Sequence, residues 1–259
     1  MDKEFQHDGE NGFRYRFINP PEALADFVEN IGMFENNSAE ASEIVIIPDG
    51  RIDLFFTRSS SEPFHVMLMG LETEPDQRSV LPGTRTFCVS FKPLGLEYLM
   101  HMSIAPFLNK GQSLPDGFWN ISESDLEDFD LFAEKAIQTL TTLLPGSIDE
   151  RKRELFRLVY AAHGEMHVQE LSEKVFWSSR QINRYFNQLL GLSLKTFCKI
   201  LRFRESLKHI ADGRIYPELN FTDQNHFIKE IKKFSGVAPR ELFKNKNDRF
   251  ILLSVLKPK

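Results

Sequence analysis

The stretch from Ser178 to Gly191 constrains the fold most, because it holds a helix start, an apolar face and a helix stop in a short span. Ser178 is a residue type that caps helices, and Gln181, three positions later, can return a hydrogen bond to the N–H of the cap. Gly191 is a common helix stop. Apolar residues recur between these ends at helical spacing, namely Ile182, Phe186, Leu189 and Leu190. The pattern predicts an amphipathic helix.

The opposite face of this predicted helix carries long polar side chains: Arg180, Gln181, Asn183, Arg184, Asn187 and Gln188. Arginine can hydrogen-bond guanine, and asparagine or glutamine can hydrogen-bond adenine, so these residue types are suited to reading base edges. Residues His167 to Val175 predict a shorter helix, joined to the first by a turn at Phe176 and Trp177. The two helices predict a helix-turn-helix that enters a DNA groove. A pair of surface helices with a solvated polar face is the alternative.

The charge of the chain is divided unevenly along its length. From Glu150 to Lys259 there are 22 basic and 12 acidic residues, a net of +10, whereas residues 1–149 hold 10 basic and 25 acidic residues, a net of −15. A basic module attached to an acidic domain indicates a polyanionic partner for the basic module, since attraction to phosphates is the sequence-independent part of DNA affinity. A chance segregation of surface charge is the alternative.

The stretch from about Glu150 to Phe243 resembles the DNA-binding domain of AraC/XylS-type transcription regulators. The residues that carry the resemblance are Ser178, Ile182, Arg184, Phe186, Gly191, Arg202-Phe203, Phe221 to Phe227 and Gly236 to Pro239. The resemblance implies two helix-turn-helix units joined by a long helix, with one recognition helix of each unit in the major groove of double-stranded DNA. The joining helix is expected from Leu194 to Ala211, followed by Gly213 as its stop.

The second unit departs from this family between Gly213 and Phe221, where the family has about five more residues, equivalent to about 7.5 Å of helix. The missing residues belong to the scaffold helix that precedes the second recognition helix, and Pro217 disfavours a helix there. We still expect a recognition helix from Asn220 to Phe234, capped by Thr222 or Asp223. Its predicted DNA contacts are Gln224, Asn225, Lys229 and Lys232.

The acidic half predicts a different architecture, built from short apolar runs separated by turn residues. Strands are expected at Glu43–Ile47, Ile52–Phe56, His65–Met69 and Thr86–Phe91, with a hairpin at Pro48-Asp49-Gly50 between the first two. The sum is a β-barrel or sandwich, which resembles the cupin-like sensor of many AraC-type regulators. The turn at Ile47 to Arg51 and the exit at Phe91 to Gly95 resemble an uncharacterised branch of these regulators. The predicted fold class is α+β.

The predicted domains are a cupin-like sensor or dimerisation domain at 1–118, a connecting region at 119–147, the DNA-binding domain at 148–245 and a tail at 246–259. An amphipathic helix from Leu126 to Leu144, capped by Ser122 or Ser124, is expected in the connecting region. It would pair with its twin in a homodimer or lie on its own barrel. Ser147 to Glu150 predicts a capping box that opens the DNA-binding domain.

Catalytic residues, metal ligands and cofactors are not expected from this sequence. Cys88 and Cys198 fall in different predicted domains without metal-ligand spacing, which favours reduced thiols in the cytoplasm. His65 and His101 are candidates for the mouth of the barrel but are expected to be structural, and His226 is expected to be a core or interhelix hydrogen-bonding residue. No signal peptide is expected, and the apolar run Ile251 to Leu256 is too short to span a bilayer.

Two functional hypotheses follow. The first is a sequence-specific regulator of transcription, an activator or a repressor. Its predicted partners are double-stranded DNA and a small-molecule effector of unknown identity, with RNA polymerase and a second copy of the chain as candidates. The second is a small-molecule-binding protein or cupin-type enzyme whose helical domain no longer binds DNA competently. The shortened second unit keeps this alternative open.

Overall fold

The chain forms two compact units in a computed structural model, which describes residues 5–8, 12–219 and 221–256. The first unit comprises Met1–Glu43, Arg51–Gly70 and Ser79–Ser147. The second comprises Ile44–Gly50, Leu71–Arg78 and Ile148–Lys259. The first is built around antiparallel strands and the second is largely helical, so the predicted α+β class is confirmed. The domain boundaries within this arrangement stay a prediction.

A seven-stranded sheet with the order β1-β2-β3-β8-β5-β6-β9 contains most of the strands, and each pairing within it is antiparallel. Its strands are β1 (Phe5–Asp8), β2 (Phe13–Ile18), β3 (Val28–Asn36), β5 (Ile52–Arg58), β6 (His65–Met69), β8 (Arg85–Phe91) and β9 (Gly111–Leu114). A second sheet pairs β4 (Ser42–Ile46) with β7 (Asp76–Val80).

The predicted hairpin at Pro48-Asp49-Gly50 is wrong. The strands on either side of it, β4 and β5, both form, but β4 pairs with β7 while β5 pairs with β6 and β8. Turn residues between two apolar runs can reverse the chain, but they do not determine which strands pair. Here distant segments provide the partners of both strands.

One face of the large sheet forms the core of the first unit. Because strand side chains alternate between faces, Ile52, Leu54 and Phe56 of β5 share a face, and all three are fully buried. The ring of Phe132 covers this face, with its centroid 5.4 Å from that of Phe56 and 5.0 Å from that of Phe87. The apolar face of the connecting helix therefore lies on its own sheet, the second of the two arrangements expected for it.

The connecting region contains two helices rather than the single helix predicted from Leu126 to Leu144. A 3-10 helix at Glu123–Glu127 begins with a capping box between Ser122 and Asp125, and α2 follows at Phe129–Thr142. The carboxylate of Asp128 accepts hydrogen bonds from the backbone N–H groups of Asp130 and Leu131, at 2.8 and 3.1 Å. Asp128 thus starts a new helix within the predicted one.

The other α-helices that the structure describes are α1 (Pro93–Tyr98) in the first unit and, in the second, α3 (Glu150–Ala161), α4 (Val168–Val175), α5 (Ser179–Leu190), α6 (Leu194–Ala211), α7 (Gln224–Ser235), α8 (Pro239–Lys244) and α9 (Ile251–Leu256). Helix α6 has the predicted bounds. Helix α3 is capped by Asp149, which accepts from the N–H of Arg151, and not by the box predicted from Ser147 to Glu150.

The segment 246–259, predicted as a tail, contains the short helix α9. Leu253 of this helix is fully buried, and Phe250 just before it is nearly so. The amide of Asn245 donates to the carbonyl of Phe250 at 3.2 Å and accepts from its N–H at 2.9 Å. These contacts attach the segment to the second unit.

Both cysteines are buried, Cys88 in the first unit and Cys198 in the second. Burial raises the pKa of the Cys198 thiol to about 12, and burial also raises the pKa of the Cys88 thiol strongly. Within the described ranges, no three His, Cys, Asp or Glu side chains are placed to hold a metal ion. No helix there has the length and apolar character needed to cross a membrane.

We therefore expect neither thiol of the native protein to react with iodoacetamide, because only the thiolate is nucleophilic and both thiols are buried and protonated near neutral pH. Mass spectrometry of the labelled protein, with a urea-unfolded sample as the control, measures this. Two labels after unfolding and none before are expected. Rapid labelling of either cysteine in the folded protein would contradict the burial described here.

Candidate nucleic-acid interface

Helices α4 and α5 form a helix-turn-helix with a turn at Phe176, Trp177 and Ser178. The Trp177 ring contacts Tyr185 of α5, with the centroids 5.5 Å apart, and the guanidinium of Arg151 lies 5.1 Å from the centre of the Trp177 ring. These contacts attach the turn to α3 and α5. The turn is therefore held on both sides by aromatic and cation–π contacts.

A capping box starts α5, as the sequence predicts. The hydroxyl of Ser178 accepts from the N–H of Gln181 at 3.3 Å, and the N–H of Ser178 donates to Oε1 of Gln181 at 2.9 Å. Gly191 ends the helix in the left-handed conformation, with φ of 75°. The capping box uses Oε1 of Gln181. The side-chain NH₂ of Gln181 is therefore the group that can donate to another partner.

The apolar face of α5 is buried between two other helices. The ring of Phe186 lies 5.4 Å from that of Phe156 in α3 and 5.5 Å from that of Phe197 in α6, centroid to centroid. All four apolar residues expected on this face are buried: Ile182, Phe186, Leu189 and Leu190. This packing fixes which side of α5 is turned to solvent.

Arg180 and Arg184 are both exposed and stand four residues apart, one turn of helix, on the outward side of α5. Neither guanidinium has a hydrogen-bond or ion-pair partner among the residues that the structure describes. Two unpaired guanidinium groups on one helical face are available for base edges or phosphates.

The two asparagines predicted to contact DNA make bonds within the helix. The amide of Asn183 donates to the carbonyl of Ser179 at 3.0 Å, and that of Asn187 donates to the carbonyl of Asn183 at 2.8 Å. Asn187 is exposed and Asn183 half-buried. Each keeps its side-chain oxygen as an acceptor, but its NH₂ group would have to leave the helix backbone before it donated to a base.

Helix α7, the second predicted recognition helix, begins at Gln224, later than predicted. Of the two candidate caps Asp223 is the one used, and its carboxylate accepts from the N–H of His226 at 2.8 Å. The predicted start, Asn220, lies outside the described residues. Between Ala211 and Gln224 the described residues contain no helix, in agreement with the missing scaffold helix.

The predicted contact residues of α7 are exposed, namely Gln224, Asn225, Lys229 and Lys232. The side-chain NH₂ of Gln224 donates to the carbonyl of Ile215 at 3.3 Å. Part of its hydrogen-bonding capacity is therefore used to hold the link before α7. His226 accepts from the N–H of Thr222 at 3.2 Å and is thus a local hydrogen-bonding residue.

An ion pair between a half-buried lysine and a buried glutamate attaches α7 to α6, and the sequence reasoning above did not identify it. The ammonium of Lys199 lies 2.5 Å from a carboxylate oxygen of Glu230, whose side chain is 7% exposed. Nearby, the rings of Phe203 and Phe234 lie 5.3 Å apart. The sequence did contain a signal for this pair: Glu230 stands between Phe227 and Ile231, on the apolar side of the helix, where a charge requires a partner.

Fold and site together define a protein of two units, one an antiparallel sheet and the other a helical unit with a helix-turn-helix. The residues that carry the resemblance to AraC/XylS-type regulators lie on or next to α5, α6, α7 and α8, in the order that the resemblance implies. A family profile described as "Domain of unknown function" (DUF6597) matches residues 16–113. The matched range includes the turn at Ile47 to Arg51 and the exit at Phe91 to Gly95, on which we based the resemblance of this half to an uncharacterised branch of regulators. No curated protein matches the sequence.

Among solved structures, the chain is similar to an apo ToxT variant from Vibrio cholerae strain SCE256. The sequence identity is 11% and the TM-score 0.44, over 92% of this chain and 99% of that chain. It is also similar to ToxT from Vibrio cholerae O395 bound to (E)-4-(8-methylnaphthalen-1-yl)but-3-enoic acid. Here the identity is 13% and the TM-score 0.42, over 83% of this chain and 96% of that chain.

The turn residue Phe176 gives a prediction about stability. It has φ of 54° and a side chain that is 88% exposed, so it occupies a left-handed conformation without burying its ring. Phe176→Gly should stabilise the folded state by about 1 kcal/mol, because glycine adopts this conformation without steric cost. Urea unfolding of the full chain measures the change.

Phe176→Ala is the matched control, because alanine also lacks the ring but keeps the Cβ atom that opposes the left-handed conformation. It should not reproduce the gain. Equal stabilisation by glycine and alanine would show that removal of the exposed ring, and not relief of the backbone, was responsible.

Proposed function

We propose that the protein is a sequence-specific DNA-binding transcription regulator of the AraC/XylS type. The carrying observation is α5, a capped helix in a helix-turn-helix, held by a buried aromatic face. It presents two exposed arginines, one turn apart, that have no hydrogen-bond or ion-pair partner among the described residues. A recognition helix needs a fixed orientation and free hydrogen-bonding groups in its first turns. The buried face fixes the orientation of α5, and Arg180 and Arg184 supply the hydrogen-bonding groups in its first turns.

The charge of the C-terminal half supports a nucleic-acid partner. Residues 150–259 carry a net charge of +10, while residues 1–149 carry −15. A basic helical unit attracts the phosphate backbone, and an acidic domain on the same chain reduces non-specific adsorption. Double-stranded DNA is the proposed partner.

The two recognition helices have different proposed roles. We assign base reading mainly to Arg180, Arg184 and the asparagines Asn183 and Asn187 of α5, with Gln181 contributing through its NH₂ group. Helix α7 follows a link whose described residues contain no scaffold helix, and its Lys229 and Lys232 are exposed point charges. Lysine binds phosphates as a point charge without the bidentate geometry of arginine. We therefore assign α7 mainly to the backbone of the duplex.

The N-terminal unit is the proposed sensor. We propose that a small molecule or a partner bound to this unit controls DNA binding. The proposal also includes activation of transcription through RNA polymerase, a homodimeric state and a cytoplasmic location. The cupin-like character of the unit and the boundaries 1–118, 119–147, 148–245 and 246–259 belong to the same proposal. No catalytic role is assigned.

One observation favours a second candidate, a small-molecule-binding protein or cupin-type enzyme that has lost competent DNA binding. The link before α7 contains no helix among its described residues, so the second unit lacks a complete helix-turn-helix. The two candidates differ in the salt dependence of DNA binding. A regulator should bind duplex DNA with an affinity that falls steeply as salt increases, whereas the second candidate should not bind it.

The first prediction for the proposed function concerns base reading. Arg184→Ala should cost about 1 to 3 kcal/mol on the preferred duplex and relax the preference at one base pair, as expected for the loss of a bidentate contact to guanine. Arg157→Ala is the control, since Arg157 is an exposed arginine of α3 that is paired with Glu154 at 2.6 Å. Binding titrations on duplexes that differ at single positions measure the effect.

The control variant should retain both affinity and preference. An equal loss on every duplex for Arg184→Ala would identify Arg184 as a phosphate contact and would remove it from the proposed set of base-reading residues.

The second prediction concerns charge. Lys229→Ala and Lys232→Ala should each weaken binding to all duplexes alike and reduce the slope of log affinity against log salt by about one. Lys174→Ala is the control, because Lys174 is an exposed lysine of α4 that pairs with Glu170. If a lysine variant of α7 changed which sequence is preferred and left the salt slope unaltered, the proposed division of roles would be wrong.

A further inference from the structure

The second unit is not built from the C-terminal half alone, because it includes two segments from the other half of the chain. We call Ile44–Gly50 the first arm and Leu71–Arg78 the second arm. Leu71 is fully buried, and Val45 and Ile47 of the first arm are nearly so. Parts of the two arms pair with each other, as β4 and β7 of the two-stranded sheet. The arms are therefore one paired element within the largely helical unit.

The first arm lies against α6. A methyl group added to Gly50 would be 3.1 Å from Cδ2 of Leu201 and 3.4 Å from Cε2 of Phe197. Carbon atoms pack best at about 3.5 to 4 Å, so a side chain at Gly50 would press on Leu201. Phe197 is also the ring of α6 that packs on Phe186 of α5. The first arm thus contacts the part of α6 that orients the proposed recognition helix α5.

The first arm also forms a backbone hydrogen bond with the C-terminal segment. The N–H of Val45 donates to the carbonyl of Arg249 at 2.7 Å. The guanidinium of Arg249 pairs in turn with Glu241 of α8, at 3.0 Å. The first arm is therefore attached at two points, one on α6 and one on the segment between α8 and α9.

The second arm lies against the end of α7. Gly236 ends this helix in the left-handed conformation, with φ of 78°. A methyl group added to Gly236 would be 3.4 Å from Cγ of Pro75. The two arms together contact α6, the end of α7 and the segment before α9.

Both arms continue directly into neighbouring strands of the large sheet. The first arm is followed by Arg51 and β5, and the second arm is preceded by Gly70 and β6. Strands β5 and β6 are antiparallel, with Leu54 opposite Leu68, so the start of β5 and the end of β6 lie at the same end of the pair. Both arms are thus covalent continuations of one end of one strand pair.

We propose that the two arms are a required part of the DNA-binding unit, because they hold α6 and α7 in the arrangement that binds DNA. The C-terminal residues 148–245 are then incomplete by themselves, and DNA affinity depends on residues that are not among the proposed DNA contacts. The proposal rests on the proposed function for its DNA readout, whereas the attachment of the arms is tested without DNA.

Cleavage of the full chain between its two halves tests this attachment. A site for a sequence-specific protease is inserted after Gly146, which is exposed and where an added methyl group would meet no atom within 4 Å. The cut protein should elute from gel filtration as one complex, because the arms of the N-terminal fragment stay in the second unit. Separation of the two fragments in native buffer would overturn the proposal.

Two variants of Val45 assign this association to the first arm. Val45→Pro removes the N–H that bonds to Arg249, whereas Val45→Ala keeps the N–H and also shortens the side chain. Gel filtration of the cut protein over a dilution series measures how tightly the fragments associate. Val45→Pro should weaken the association about tenfold relative to Val45→Ala, as expected for a lost backbone hydrogen bond. Equal association of the two variants would overturn the proposal.

A matched pair of glycine variants tests the effect of the arm on DNA binding in the uncut chain. Gly50→Ala and Gly117→Ala both place alanine at a left-handed position, with φ of 80° and 72°. Both variants should lose backbone stability to a similar extent. A methyl group at Gly117 meets no atom within 4 Å, so of the two variants Gly50→Ala is the one that presses on Leu201 of α6.

Binding titrations with the preferred duplex should show about tenfold weaker binding for Gly50→Ala, within the range expected for overpacking a core by one methyl group. Gly117→Ala should bind like the unchanged chain. Normal binding by Gly50→Ala, or an equal loss for both variants, would overturn the proposal.

The results also separate this proposal from the proposed function. If the unchanged chain binds duplex DNA but its cut fragments separate, this proposal is overturned and the proposed function stands. Association of the fragments that depends on Val45, in a chain that binds no duplex DNA, would support the attachment of the arms and contradict the proposed function.

Discussion

The position of Phe186 between Phe156 of α3 and Phe197 of α6 is the contact on which the arrangement of the helical unit depends. The ring is fully buried, with neighbouring ring centroids at 5.4 and 5.5 Å. Truncation of a buried phenylalanine typically costs about 3 to 5 kcal/mol, a large part of the stability of a domain. Because this side of α5 is fixed, Arg180 and Arg184 are held toward solvent.

A second constraint, the ion pair between Lys199 and Glu230, acts where the expected scaffold helix is missing. The pair contributes little net stability, but the loss of Lys199 would leave the nearly buried carboxylate of Glu230 without its ammonium partner. Such a pair specifies geometry, because rotation of α7 away from α6 would separate the charges. We infer that the orientation of α7 depends on this pair and on the contact between Phe203 and Phe234. Helix α7 can then present its lysines without a scaffold helix before it.

Features decided by local contacts could be predicted from the sequence, and features decided by distant partners could not. The capping box of Ser178 and Gln181 and the bounds of α6 depend on residues within a few positions, and both are confirmed. The predicted start of the connecting helix at Leu126 was wrong, because Asp128 caps a separate helix, α2, after the short helix that begins at Ser122. The predicted hairpin between β4 and β5 was wrong because strand pairing depends on segments far along the chain. The ion pair of Glu230 likewise joins residues on two different helices.

The central claim is that α5 reads DNA sequence. Selection from a random duplex library with the full chain, followed by sequencing of the bound fraction, tests it most directly. The account predicts enrichment of one compact motif, with guanines among its required bases, and loss of that enrichment when Arg180 and Arg184 are both replaced by Ala. A bound fraction with the base composition of the input library, or enrichment that survives the double replacement, would contradict it.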